Sequence, residues 1–108
     1  MWAATFDQIK QLVIDDKIRV SQHTFRRMVS HSIVSDDLVA SIASAMVIED
    51  YPTYHIGPAV LVLQSDANGA PLHAVWGLEI NTVEPAVLVT TYRPDPACWS
   101  DDFRTRKP

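Results

Sequence analysis

The chain has 108 residues, of which 47% are hydrophobic and 20% charged, and a formal net charge of -4. These figures predict one globular domain over residues 1–108 and exclude a disordered chain or a strongly basic nucleic-acid coat. No apolar run reaches the ~20 residues that span a bilayer, the start "MWAATFDQIKQ" lacks the basic-then-apolar order of a signal peptide, and a lone cysteine, Cys98, excludes an internal disulfide, so a cytoplasmic protein with no membrane partner is expected.

The first half reads as helical. Thr5 is a predicted N-cap, with Asp7 in the first turn where the helix dipole favours negative charge. Phe6, Ile9, Leu12 and Val13 follow at helical spacing, and the helix ends near Asp16-Lys17. "KIRV" is a short extended link. Ser21 caps a second helix that starts at Gln22. At about 100° per residue, Phe25, Met28 and Val29 are expected inward, and His23, Arg26, Arg27 and Ser30 outward, with His31 at the edge. Ser35 is expected to cap a third helix, with Asp36 and Asp37 in its first turn and Leu38, Val39, Ile42 and Ala45 as its buried stripe.

From Val47 onward the pattern is that of strands. "AVLVLQS" is a continuous apolar run, and "DANGAP" supplies the turn signal Asn68-Gly69. "LHAVWGLEI" alternates, with Ala74, Trp76, Leu78 and Ile80 on one side and His73, Val75, Gly77 and Glu79 on the other. "AVLVTTY" is the last strand, stopped by Pro94 and Pro96, and Trp99 and Phe103 at i,i+4 suit one docked helical turn. Short connections predict antiparallel pairing. The expected fold is α+β: two to three N-terminal helices on one face of a three- to four-stranded antiparallel sheet, whose other face is at least partly open.

Charge is unevenly placed. Residues 17–31 carry Lys17, Arg19, Arg26 and Arg27 with no acid, whereas residues 36–98 carry eight acids and a single base, Arg93. The histidines His23, His31, His55 and His73 lack the i,i+4 pairing of a helical zinc clamp, and no glycine-rich phosphate loop or nucleophile motif is present, so neither metal nor cofactor is expected. General acid–base chemistry on a phosphodiester fits the residues better. His23 supplies an imidazole, a side chain suited to proton exchange, and Arg27, one turn on, supplies a guanidinium fork for phosphate oxygens. Tyr92 completes the candidate catalytic set. Arg26, Arg93 and Thr91 are candidate substrate-binding residues, the Thr91 hydroxyl being suited to a ribose or phosphate. RNA carries its own nucleophile in the 2'-OH, so a metal-free site is sufficient. The plain alternative is the wet face of an amphipathic helix, with Arg27 paired to Asp36, Asp37 or Glu49. Tyr51 and Tyr54 read as loop anchors over a sheet edge, and His73 as exposed or hydrogen-bonded.

"IRVSQHTFRRM" resembles a segment shared by a prokaryotic family of domains of unknown function numbered 4258, through Ser21, His23, Arg27 and Met28. The likeness continues through "VIEDYP", "GPAVLVL", "PLHAVWGLEI" and "LVTTYRPDPACW", over about residues 8–103. One departure stands out: His31-Ser32 occupies the place of the family's usual Arg-Gly pair, which predicts a different helix end. The resemblance implies a RelE-like fold and, by analogy only, a toxin-like RNA endonuclease in which His23 and Arg27 matter most. The other expectation is a non-catalytic module that binds an antitoxin-like protein partner or pairs as a homodimer through an open sheet face or edge.

Overall fold

A computed structural model describes the backbone of residues 2–108 and the side chains of residues 5–108. The chain forms α1 (Trp2–Ile14), β1 (Ile18–Val20), α2 (Gln22–Ser30), α3 (Ser35–Ser41) with a 3-10 turn (Ile42–Ser44), then β2 (Met46–Tyr51), β3 (Ala59–Ser65), β4 (Pro71–Gly77) and β5 (Ala86–Tyr92). The sheet order is β1-β5-β4-β3-β2. The α+β class holds, and the three α-helices all precede β2, but a strand stands between the first two of them. The sheet has five strands where three to four were expected, because "KIRV" is a strand: Ile18, Arg19 and Val20 pair in parallel with Ala86, Val87 and Leu88. The other pairings are antiparallel.

The helix-facing core gathers Phe6, Ile9, Leu12 and Val13 of α1, Met28 of α2, Ile33, and Leu38 and Ile42 of the third helical segment. They pack on Val60, Val62, Leu72, Ala74, Trp76, Leu78, Ala86 and Leu88. The alternation of "LHAVWGLEI" is correct up to Leu78, and Ile80 lies beyond the strand and is exposed. The Gln64 amide is built into this core. Gln64 accepts from the Trp76 indole N–H at 2.7 Å and donates to the Leu38 carbonyl at 2.6 Å and to Ser41 Oγ at 2.9 Å. A buried indole N–H needs such a partner. The same amide ties the end of α3 to the sheet.

The helix starts differ from expectation at two places. α1 begins at Trp2, so Thr5 is inside the helix and caps nothing. Val34 occupies the N-cap position of α3, with Ser35 as its first helical residue and no side-chain cap bond. Ser21 does cap α2: its Oγ accepts from Thr24 N–H at 3.1 Å.

The face of α2 is rotated by about one residue from the hydrophobic count. Thr24 and Met28 are buried, whereas Phe25 and Val29 are exposed. A bulge explains the rotation. Val75 pairs with Thr90 and Trp76 with Leu88, leaving Val89 as the extra residue of β5. The Val89 carbonyl accepts from the Thr24 hydroxyl at 3.1 Å, and Ser21 Oγ–H donates to that same hydroxyl oxygen at 3.0 Å. Satisfying a sheet carbonyl outweighs burying one more apolar ring.

The end of α2 corrects the expectation drawn from its missing glycine. Ile33 N–H donates to the Met28 carbonyl at 2.8 Å and Ser32 N–H to the Val29 carbonyl at 3.2 Å, with Ser32 at φ 57°. This is a Schellman closure with serine in the left-handed position that glycine normally takes. Serine is strained there by roughly 1–2 kcal/mol. Ser32→Gly is therefore expected to stabilise the fold by about 0.5–1 kcal/mol, after allowing for the greater freedom of glycine in the unfolded chain. A higher urea midpoint at unchanged slope is the expected readout, and an equal or lower midpoint refutes the assignment.

Candidate functional site

Seven of the nine residues of α2 are exposed, only Thr24 and Met28 being buried. Helical geometry divides the exposed part into three lines. His23 and Arg27, at i,i+4, form one flank. Phe25 and Val29 form the other, and Arg26 stands on the crest between them. Ser30 Oγ–H is turned back onto the Arg26 carbonyl at 3.1 Å.

Four of the seven other lysines and arginines form ion pairs. Lys17 meets Glu84 at 3.4 Å, Arg19 meets Glu79, Arg93 meets Asp66 at 3.0 Å and Arg106 meets Glu49 at 2.8 Å. Among the described residues, His23, Arg26 and Arg27 make no ion pair and no side-chain hydrogen bond. The expected competitors for Arg27 are not engaged with it, and Glu49 already belongs to Arg106. α2 and the turn after it carry no acid before Asp36.

The remaining sequence-nominated residues do not join this flank. Arg93 is a clamp within the chain. Its Nε donates to the His31 carbonyl at 3.0 Å, Nη2 to the Ser32 carbonyl at 3.0 Å and Nη1 to Asp66 Oδ2 at 3.0 Å. Asp66 is held below the usual carboxylate range by the backbone N–H of Ala70 first and by Arg93 second. Thr91 is buried, and its hydroxyl donates to the His73 carbonyl at 2.8 Å. Tyr92 lies opposite His73 in the ladder, on the sheet face away from the helices.

That second face is packed over by the C-terminal segment, where an at least partly open one was expected. Residues 94–108 cross it as a strap that is not helical. Trp99 bridges Arg106 in antiparallel fashion, and the tip turns at Ser100–Thr105. Trp99 and Phe103 pack with Ala59, Leu61 and Val75, together with Tyr51 and Tyr54. The polar partners are equally specific. Arg106 forks onto Glu49 at 2.8 and 3.1 Å and lies over the Trp99 ring at 4.7 Å. The Tyr51 hydroxyl donates to Glu49. Burial and the neighbouring Glu49 push the Tyr51 phenol up to about 12.

His73 is fully buried beneath the strap. Its Nε2 lies 2.8 Å from the Phe103 carbonyl, which can only accept, so Nε2 carries the proton. Nδ1 then accepts from the Tyr92 hydroxyl at 3.2 Å. The Trp99 ring meets the imidazole edge-on at 4.4 Å. Burial lowers the His73 pKa and raises that of Tyr92. This cluster of Glu49, Tyr51, His73, Tyr92 and Arg106 was not assembled from the sequence. The polar side of "LHAVWGLEI" marked His73, but nothing local marks Arg106 as its neighbour. With both ring nitrogens bonded inside the chain, His73 holds the strap.

Two concave places lie apart from α2. A cavity of about 410 Å³ is lined by Ser44, Met46, Gln64, Asp101, Asp102 and Phe103 among others, and a neighbouring one of about 260 Å³ includes Asp37, Ser41 and Asp66. Their acidic lining does not suit an anion. Among the described residues no three of His, Cys, Asp and Glu converge as a metal-binding group, and no helix is long and apolar enough to cross a membrane.

A family model described as a domain of unknown function, DUF4258, matches residues 20–93. The chain belongs to that family. The DUF4258 match takes in α2, with its Ser21, His23 and Arg27, and all of β2–β5, and it ends at the clamp residue Arg93. The strap lies outside it. No curated protein and no solved structure matches the chain.

Two outcomes follow from these contacts. Arg93→Lys cannot reproduce three divergent bonds with one ammonium group, and is expected to lower stability by about 1 kcal/mol, with faster amide exchange at the end of α2; unchanged exchange there would remove Arg93 as the clamp. The pH dependence has a definite sign. His73 is neutral when folded, and its pKa lies below the ordinary 6.5. As pH falls through that value the unfolded chain takes up a proton that the folded chain refuses, so stability declines. Glu49 is held below 4.5 chiefly by Arg106, so its contribution is present above 4.5 and lost as pH falls through its lower folded value. Urea midpoints measured from pH 7.5 downward should fall in two stages, and His73→Gln should remove the first.

Proposed function

We propose that the α2 surface engages the phosphodiester backbone of RNA, and that the protein acts there as a metal-free endonuclease of the RelE-like, toxin-like kind. One observation carries the reading: His23, Arg26 and Arg27 stand exposed on one short helix without an intramolecular carboxylate, in a chain that pairs four of its other cations. Leaving two adjacent guanidiniums unpaired on an acidic protein serves an anionic ligand.

In this reading Arg26 and Arg27 hold non-bridging phosphate oxygens. His23 accepts the proton of the ribose 2'-OH as its oxygen attacks phosphorus. The bond from phosphorus to the 5' oxygen breaks, and the leaving oxygen takes a proton back from the imidazolium. The products are a 2',3'-cyclic phosphate and a free 5'-hydroxyl, with no metal or cofactor in the balance. Arg93 acts indirectly, by fixing the turn that ends α2. Tyr92 and Thr91 have no part in it, being on the strap-covered face and buried, respectively.

Purified protein incubated with single-stranded and ribosome-bound RNA in EDTA should cleave, and His23→Ala should lose at least about a hundredfold of that rate, the usual scale of general acid–base catalysis. Arg26→Ala and Arg27→Ala should each weaken binding and flatten its salt dependence by about 0.7 in log–log slope. Equal cleavage by wild type and His23→Ala removes His23 from the reaction. Binding without cleavage reduces the protein to a non-catalytic RNA-binding module, and no binding in any format refutes the reading.

A further inference from the structure

The exposed benzyl ring of Phe25 is the least expected feature of α2. Its relative exposure is 57%, and that of Val29, one turn on, is 64%. Hydrophobic spacing placed both in the core, yet the Thr24 hydroxyl holds the helix in the rotation that turns them out. The ring adjoins Arg26 in sequence and lies on the flank opposite His23 and Arg27.

Three occupants of this surface can be compared. A second copy docking through α2 itself would bring Arg26 and Arg27 against their own equivalents, a like-charge contact that opposes pairing. A partner helix reads i, i+3 or i+4, and i+7 anchors along a groove. α2 is convex, about 13.5 Å long, and offers one apolar step, Phe25 to Val29, before its C-terminus. A nucleobase needs less: one exposed aromatic face, with cations beside it for the flanking phosphates. The arrangement matches that requirement.

We infer that the α2 site takes unpaired nucleotides, with Phe25 as the stacking platform for a base and Arg26 holding an adjacent phosphate. This rests on the RNA reading above and deepens it to a substrate class. In a duplex the bases are stacked on one another, and an A-form helix offers a convex surface only its backbone and a shallow minor groove. A ring on a convex helix reaches a base only where the strand is open.

The test uses the full chain and fluorescence anisotropy with a labelled twelve-residue oligouridine, a blunt RNA duplex of the same length, and unlabelled polyglutamate as competitor. The expected result is at least tenfold tighter binding of oligouridine than of the duplex. Phe25→Ala and Phe25→Leu should each weaken oligouridine binding about tenfold and leave duplex binding unchanged, while Phe25→Trp should retain or improve it. Equal affinity for the two RNAs, or Phe25→Leu behaving as wild type, overturns the inference and leaves the RNA reading in place. Polyglutamate displacing oligouridine as well as an equal charge of RNA shows a surface that reads charge alone, and also overturns it. Binding of neither RNA defeats both. Phe25 is exposed and belongs to neither hydrophobic cluster, so the variants should keep the wild-type urea midpoint, which is measured alongside.

Discussion

The guanidinium of Arg93 joins three segments that are distant in sequence: the turn after α2, the start of the β3–β4 loop, and the end of β5. The placement of α2 depends on this junction because the helix buries so little of itself. Met28 gives it one full apolar anchor and Thr24 one hydrogen-bonded anchor. Two buried side chains are few for a nine-residue helix, and packing, more than propensity, is what stabilises short helices. Polar contacts at both ends make up the difference, with the Ser21–Thr24–Val89 relay at the N-terminus and the Arg93 fork at the C-terminus. A helix held by its ends can keep most of its circumference free.

Much of the fold was legible. The α1 stripe, the Ser21 cap, the Asn68-Gly69 turn and the alternation of β4 are all short-range signals, and each is decided by the residues that carry it. The misread parts depend on partners far along the chain. β1 is three residues long and exists only because β5 offers an edge. The rotation of α2 follows from a bulge in β5 that no local pattern announces. Thr24 looked neutral in a hydrophobic count, yet a single carbonyl 65 residues away decided which way the helix faces. Of the nominated residues, His23, Arg26 and Arg27 share one surface, as their spacing on a helix required. Thr91, Tyr92 and Arg93 are consecutive in β5 and its exit, and the alternation of a strand sends neighbouring residues to different faces.

The two faces of the sheet are finished in different ways. The helix side is mostly apolar, with Gln64 and Thr24 as polar links between helices and sheet. The strap side mixes Trp99 and Phe103 with Glu49, Tyr51, His73, Tyr92 and Arg106, and every buried polar side-chain atom among the described residues has a partner. Such networks specify one arrangement when complete and weaken sharply when one member is lost. The family match ends at Arg93, so in this chain a segment beyond the matched region completes the polar face of the matched one.

The β2 strand shows how much a single residue controls. Val47 pairs with Val62, and Glu49 with Leu61, so Ile48 is the extra residue of a bulge. Strand side chains alternate with a period of two, and an insertion reverses their parity from that point on. Val47 therefore faces the helices while Glu49 and Tyr51 face the strap. If Ile48 were paired in a regular ladder instead of bulged out, the acid and the phenol would exchange sides with their neighbours, Arg106 would lose its carboxylate, and the C-terminal fifteen residues would lose their foothold on Glu49. The bulge works as an odd-even switch in the backbone, and the closing segment of the molecule is addressed by it.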